Sequence, residues 1–402
     1  MVLDLPVNPR LNALVDNPFT KLRVLLDSVQ PRTNEPLLPW AVGEPQHDPP
    51  PLLAETLAKN AHLWNRYPPP VGTPAYRAAC AAWLTRRYRL PAGMIEGERH
   101  VLIANGTKEA LFLVAQLAVP PEKAGRQPTV LMPNPYYNVY NGGGTLAGAE
   151  TIYLDCTQAT GFLPDLDAIP ESVLARCALF YLCSPANPQG AVASLDYLKK
   201  AIALARAYDF VLAADECYCE LYDRAPPPGA LEACAALGGG LENVLVFHSL
   251  SKRSNAAGLR CGFVAGDPHL IERFTHLRSY SAAQVPLPIQ EAAIALWNEE
   301  THVEAVRALY RRKFDIAEHY LAGRLGFYRP EGGFFLWLDV EDGERAALAL
   351  WREAGIRTLP GAYTAITNPG ADNPGQRYIR VAIVHDESMI EDGMKRLRRV
   401  LI

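Results

Sequence analysis

Phe210-Val-Leu-Ala-Ala214 is an uninterrupted apolar run, and it ends on Asp215-Glu-Cys-Tyr218. A half-exposed strand alternates apolar and polar residues. A run that is apolar at every position belongs inside a parallel sheet with both faces covered. Upstream, Leu195–Tyr208 carries a helical pattern, preceded by the apolar run Ala178–Cys183. Downstream come two more strand candidates, Val244–Phe247 and Gly262–Ala265. Further out, the runs His100–Ala104, Thr129–Met132 and Glu150–Leu154 read as strands and Lys108–Ala118 as a helix. This alternation predicts an α/β fold on a mostly parallel sheet covered by helices.

The tail has a different texture. Gln290–Trp297 and His302–Leu321 are helical, Gly333–Leu338 and Tyr378–Ile383 are strand-like, and Glu344–Ala354 is a helix between them. A chain of 402 residues exceeds one ordinary core. The expected division is an N-terminal segment, 1–45, packing with a small C-terminal α+β domain, 289–402, and a large domain, 46–288. Asp48-Pro-Pro-Pro51 marks a turn or linker, and Tyr67-Pro-Pro-Pro-Val-Gly72 a loop.

Totals exclude several classes. The net charge of −4 argues against nucleic-acid binding and against an anionic membrane surface. The eight cysteines form no Cys-x-x-Cys pair, which fits reduced, buried thiols better than a zinc site or a disulfide framework. The opening Met-Val-Leu-Asp-Leu-Pro has no basic and then apolar stretch of a secretory signal, and the longest apolar run, around Ala110–Val119, is about half a membrane span. The expectation is a cytoplasmic protein.

Four segments at the ends of successive strand–helix units carry chemistry. In Ala104-Asn-Gly-Thr-Lys-Glu-Ala110, Thr107 can cap a helix, Gly106 admits a close ligand, and free N–H groups at the helix start favour phosphate. Alone it equally fits an ordinary capped helix. Ser184-Pro-Ala-Asn-Pro-Gln-Gly190 fixes a turn at a strand's C-terminal end, where open α/β sheets place ligands, and Asn187 can point its amide there. Asn-Pro turns are also common in loops. Asp215 follows a buried strand and must be solvated or paired. A protonated pyridine nitrogen is one such partner, with Tyr218 within reach of the ring's phenolic oxygen; capping the next element is the plainer role. In Ser249-Leu-Ser-Lys252, burial near Arg253 and Arg260 would lower the lysine's pKa and make it a nucleophile, and Arg260 suits a phosphate clamp; otherwise this is a surface Lys-Arg pair. Anion site, ring clamp, ring-nitrogen partner and lysine occur in that order, which the four plain readings do not explain together.

The chain resembles the fold-type I, pyridoxal-phosphate-dependent aminotransferases of class I/II from Val42-Gly-Glu-Pro45 to Arg380. Their pattern Ser-x-Ser-Lys-x-x-x-x-x-Gly-x-Arg-x-Gly is met from Ser249 to Gly262, Asn-Pro-x-Gly at Asn187–Gly190, and Asp-Glu-x-Tyr at Asp215–Tyr218. The resemblance implies a seven-stranded, mostly parallel sheet in the large domain and pyridoxal 5'-phosphate as cofactor. It makes Lys252 the Schiff-base lysine and proton shuttle, and Asp215 the partner of the ring nitrogen. Asn187 and Tyr218 would hold the phenolic oxygen. Gly106, Thr107, Lys108, Ser249 and Arg260 would hold the phosphate. A tyrosine of Pro135-Tyr-Tyr-Asn-Val-Tyr140 would stack on the ring, Tyr137 by choice and Tyr136 in near register. Tyr67 would reach the phosphate of a neighbouring subunit, implying a homodimer with shared active sites. Arg380 would grip the substrate α-carboxylate, and Gly43 would belong to a segment that closes over the substrate.

A narrower similarity joins Asn8-Pro-Arg-Leu-Asn-Ala-Leu14, Asn17-Pro-Phe-Thr-Lys-Leu22, Pro133-Asn-Pro-Tyr-Tyr137 and Ser249–Asn255 to N-succinyldiaminopimelate aminotransferases. It implies transfer between glutamate and N-succinyl-2-amino-6-oxopimelate, with Arg253 as the cation for the distal carboxylate. The chain departs at Ser279-Tyr-Ser-Ala-Ala283, where that group carries a His-Gly pair, and this leaves the distal contacts open. The same cofactor motifs serve aspartate, aromatic and alanine aminotransferases and β-lyases. A cofactor-binding sensor would be expected to carry an N-terminal DNA-binding extension, and the similarity starts within ten residues of Met1. A cofactor-free structural protein is the last alternative.

Overall fold

A computed structural model describes residues 7–402; Met1–Pro6, the stretch on which the absence of a leader was expected, lies outside them. The seven strands of the large sheet are β1 (Val101–Ala104), β2 (Thr129–Asn134), β3 (Glu150–Asp155), β4 (Cys177–Cys183), β5 (Val211–Asp215), β6 (Val244–Ser249) and β7 (Gly262–Gly266). They are ordered β1-β7-β6-β5-β4-β2-β3, and only β7 runs antiparallel to its neighbours. β1, β2, β4, β5, β6 and β7 are buried along their whole length, whereas the edge strand β3 is half-exposed and carries Glu150 and Asp155. That difference is the sequence contrast between unbroken and mixed runs made physical.

Helices cover both faces. Leu198, Ile202 and Ala205 of Leu195–Ala207 face one side of the sheet, together with Trp83 and Leu84 of Pro74–Tyr88. Leu111, Val114 and Ala115 of Thr107–Ala118 face the other. Pro51, expected in a linker, opens the helix Pro51–Lys59, a place where its missing N–H costs nothing. Helix Leu287–Asn298 joins the same core through Ala293, Leu296 and Trp297, so this core extends past residue 288.

A second sheet of β8 (Phe335–Asp339), β9 (Leu359–Pro360) and β10 (Tyr378–Ala382) is antiparallel, in the order β8-β10-β9. It packs against Thr301–Leu321, Gly343–Ala354 and the C-terminal helix Glu387–Leu401. The last of these buries Ile390, Met394 and Leu397 on one stripe, at about 1.5–3 kcal/mol each. The N-terminal segment docks here. Leu22 and Leu26 of helix Pro18–Asp27 meet Trp351 and Leu359, and Trp40 lies fully buried in the core of the smaller sheet. Trp40's carbonyl accepts the N–H of Ala382 at 2.8 Å. Among the described residues, no helix is long and apolar enough to cross a membrane.

Trp40 fits because residue 393 has no side chain: a Cβ there would stand 2.0 Å from the indole. Gly393→Ala is expected to lower stability by about 1–3 kcal/mol through overpacking, measured by denaturant unfolding. A midpoint equal to wild type would show that the indole is not held tightly.

Candidate active site

A cavity of about 580 Å³ opens at the C-terminal ends of the parallel strands, between the large sheet and β8–β10. Lys252, Asp215, Tyr218, Asn187, Thr107, Lys108, Tyr137, Ser249, Arg260, Gly43 and Arg380 all line it. They arrive from the ends of β1, β2, β4, β5 and β6, from β10, and from the N-terminal segment. This is where a doubly wound sheet exposes the residues that follow its strands.

The anion end is built at Gly106–Lys108. Gly106 has φ +72°, and a Cβ on it would lie 2.4 Å from Nη2 of Arg260. Arg260 is itself held left-handed at φ +52°, a conformation costly for a side chain with a Cβ, and its Nη1 donates to the Ala257 carbonyl at 2.8 Å. Thr107 begins a 12-residue helix. Ser249 and Ser251 pair through their hydroxyls at 2.9 Å. Two cations, several hydroxyls and free helix N–H groups form a donor set suited to a phosphate dianion, in a cradle that a Cβ would fill.

At the floor, Asp215 is buried, and burial raises its carboxyl pKa against the donors that hold it. Tyr140 donates to Oδ2 at 2.6 Å and the Cys217 N–H to Oδ1 at 3.2 Å. Among the described residues it forms no ion pair, so an ionised Asp215 needs a cation, which a protonated pyridine nitrogen supplies. Tyr140 was not singled out in the sequence. It lies one helical turn beyond Tyr137 and stacks on Tyr181 at 4.5 Å, and that i, i+3 spacing was its signal. Tyr137 lies near Asp215, Cys217 and Arg260; Tyr136 lines the same cavity and packs on Tyr153 at 5.1 Å. The hydroxyl of Thr107 meets Sγ of Cys217 at 2.9 Å.

Lys252 follows in the short helix Leu250–Arg253. Burial lowers its ammonium pKa to about 8, with Arg380 and Arg260 adding to the effect and Cys217 and Glu44 opposing it. Its Nζ donates to the Gly43 carbonyl at 2.6 Å. Gly43 is in close contact with Phe335, where a Cβ would stand 2.3 Å away. Arg380, on β10, has its guanidinium carbon 4.4 Å from the centre of the Phe335 ring; Nη1 donates to Asn187 Oδ1 at 3.2 Å, Nη2 donates to the Ala41 carbonyl at 2.8 Å, and among the described residues its Nε has no partner. A buried guanidinium with a free donor is arranged for an incoming carboxylate.

Two expected residues lie elsewhere. Arg253 is 1% exposed and points away from the cavity. Its Nη1 donates to the Leu296 carbonyl at 2.6 Å, Nη2 pairs with Glu300 at 2.7 Å, and its guanidinium lies 5.1 Å from the Trp297 ring. The expectation of a distal-carboxylate contact from Arg253 is therefore corrected: one residue past Lys252 on a helix, the side chain turns about 100° into the core. Tyr67 is 98% exposed, outside the cavity of its own chain. Sequence reading also missed the start of helix Pro18–Asp27, whose Asn17, Pro18 and Phe19 border the cavity. No local pattern announces that approach, because it depends on how the N-terminal segment docks.

Tyr140→Phe removes the hydroxyl that donates to Asp215 Oδ2 and keeps the ring. The Kd for pyridoxal phosphate should rise by about tenfold to a hundredfold, the equivalent of a charge-assisted bond of roughly 1.5–3 kcal/mol. An absorbance titration measures it, and an unchanged Kd would remove Tyr140 from the site.

A family model of the class I and II aminotransferases matches residues 35–397. The LL-diaminopimelate aminotransferase of Moorella thermoacetica is 32% identical over 374 residues, 91% of each chain. The 4-dedimethylamino-4-oxo-anhydrotetracycline transaminase of Streptomyces rimosus is 34% identical over 365 residues, 90% of this chain and 93% of its own. The crystal structure of an aminotransferase from Neisseria meningitidis superposes with a TM-score of 0.93 at 36% identity, covering 98% of this chain and 100% of that one. With its cavity suited to a phosphorylated pyridine aldehyde, the chain belongs to the class I and II aminotransferases and is a pyridoxal 5'-phosphate-dependent transaminase.

Proposed function

We propose that the enzyme moves an amino group between glutamate and a long-chain keto acid of the diaminopimelate group, N-succinyl-2-amino-6-oxopimelate. The observation that carries the reaction is the meeting of Lys252, Asp215, Asn187, Arg260 and Arg380 in one cavity. The substrate group is supported by the names of similar proteins, among them the LL-diaminopimelate aminotransferases of Moorella thermoacetica and Desulforudis audaxviator, each 32% identical.

In this reading Arg260, Lys108, Thr107, Ser249 and the Gly106 turn hold the cofactor phosphate, Tyr137 covers the ring, Asn187 and Tyr218 take the phenolic oxygen, and Asp215 takes the ring nitrogen. Bound pyridoxal phosphate supplies a cationic ring that stabilises negative charge at the substrate Cα. Arg380, braced by Asn187, binds the α-carboxylate in two-point fashion and so fixes which Cα bond faces Lys252. Nζ of Lys252, buried and depressed to about 8, takes the Cα proton as a base and returns it to the cofactor side. A homodimer in which Tyr67 serves the partner's phosphate completes the proposal.

One observation favours a second reading, in which unacylated diaminopimelate is the substrate. The lysines and arginines lining the cavity are Lys108, Lys252, Arg260 and Arg380, and each already has a role above. With Arg253 turned into the core, no further lysine or arginine among the described residues lines the cavity for a succinyl carboxylate. The test is a keto-acid panel with glutamate as donor, following 2-oxoglutarate release. N-succinyl-2-amino-6-oxopimelate should exceed oxaloacetate, phenylpyruvate and pyruvate by at least about tenfold in kcat/KM. LL-diaminopimelate, offered as amino donor to 2-oxoglutarate, should be the poorer substrate. The reverse order would favour the second reading, and a preference for one of the short acceptors would overturn both.

A further inference from the structure

Residues 41–47 have no regular secondary structure; Val42 and Gly43 line the cavity, and Val42, Glu44 and Gln46 are exposed. Two of this strap's carbonyls meet the site: Ala41 accepts from Arg380 and Gly43 from Lys252. At its far end, Nε2 of His47 lies 2.5 Å from Nζ of Lys313.

Lys313 is a second buried lysine. It is fully buried on helix Thr301–Leu321, and among the described residues it forms no ion pair. Its Nζ lies 4.4 Å from the Tyr310 ring, Tyr310 tilts on Phe334 at 5.5 Å, and Nζ of Lys252 lies 5.1 Å from that same Phe334 ring. The charged and titratable groups facing the Lys313–His47 pair are Tyr310 and Arg312 on the same helix, His385 and Asp386 after β10, and Glu387 at the start of the last helix. Glu387 is engaged by Arg312 at 2.7 Å. At 2.5 Å, an amine and an imidazole nitrogen can share a proton but are strongly repelled as two cations.

We propose that Lys313 is a positioning residue for transamination: by donating to His47 it fastens the strap 41–47 along the cavity, and the fastening is released when the pair gains a second proton. The strap then presents its Ala41 and Gly43 carbonyls to Arg380 and Lys252 only while its far end is tied.

The direction with pH follows from burial. Burial lowers the Lys313 amine to about 7, and burial together with the Lys313 charge lowers the His47 imidazole. Both bases take up protons more readily when the strap is free. The first proton goes to Lys313 as pH falls through about 7, and the second goes to His47 below the ordinary imidazole value, so the fastening is lost on the acid side, as pH falls through that lowered value.

The test uses the pyridoxal-phosphate-loaded enzyme. Protection factors of the backbone amides in 41–47, corrected for intrinsic exchange, should fall as pH drops from about 7 to about 5, and KM for the amino donor should rise about fivefold to tenfold. His47→Gln keeps an acceptor for Lys313 but cannot be protonated, so it should flatten both acid-side changes. His47→Leu should loosen the strap at every pH, with kcat within about twofold of wild type. Lys313→Met should match His47→Leu; if it does not fold, the pair of variants at the half-exposed His47 decides alone. Wild-type protection in His47→Leu, or a wild-type acid response in His47→Gln, would overturn the proposal. Hydrogen exchange requires no substrate, so its outcome is independent of the keto-acid panel.

Discussion

The ammonium of Lys252 is buried near two guanidinium groups and, among the described residues, has a single acceptor, the Gly43 carbonyl. Most of the site depends on that imbalance. A lysine in water stays protonated at neutral pH and is a poor nucleophile; desolvation beside like charge is what makes its amine available. The arginines that press on it also collect anions, Arg260 at the Gly106 turn and Arg380 against Phe335. At the opposite pole Asp215 is a buried carboxylate with hydrogen-bond donors but, among the described residues, no ion-pair partner. The excess positive and excess negative charge are kept apart on different strand ends, and a cofactor that is anionic at its phosphate and cationic at its ring nitrogen matches both.

The sheet topology makes this separation possible. β4, β5 and β6 are parallel neighbours, so Asn187, Asp215 and Lys252 emerge on one side at successive strand ends. β1 joins through antiparallel β7, which brings the Gly106 turn to Arg260. The smaller sheet contributes Arg380 from β10 and Phe335 from β8, and their register keeps the guanidinium on an aromatic face. The N-terminal segment, anchored by Trp40 in the smaller core, reaches back to both cations through its carbonyls. In the proposed reading, substrate recognition uses two layers of structure, while cofactor recognition uses one.

Much of the large sheet was legible because its strands are buried on both faces and read as unbroken apolar runs, with ligand residues directly after them. Lys252, Asp215, Asn187 and Arg260 stood out as unusual polar residues after such runs. Other features depend on tertiary direction. Arg253 sits beside Lys252 in sequence yet turns into the core against the packed rings of Trp83 and Trp297. Tyr140 needed a helix assignment at 138–147, which three consecutive glycines disguise. The last helix, Glu387–Leu401, was not expected at all, because charged residues outnumber its narrow stripe of Ile390, Met394 and Leu397. The pairing of His47 with Lys313 spans 266 residues and has no sequence signal.

The state of Lys252 is the claim on which the rest stands. The direct measurement is the rate at which the apoenzyme takes up pyridoxal phosphate as a function of pH, followed by the visible absorbance that Lys252→Ala should abolish. Because the free amine is the reactive form, the rate should climb with pH to a half-maximum near 8, the depressed value of the buried amine. A half-maximum near the ordinary lysine value of about 10.4, or a colour that survives in Lys252→Ala, would contradict the account.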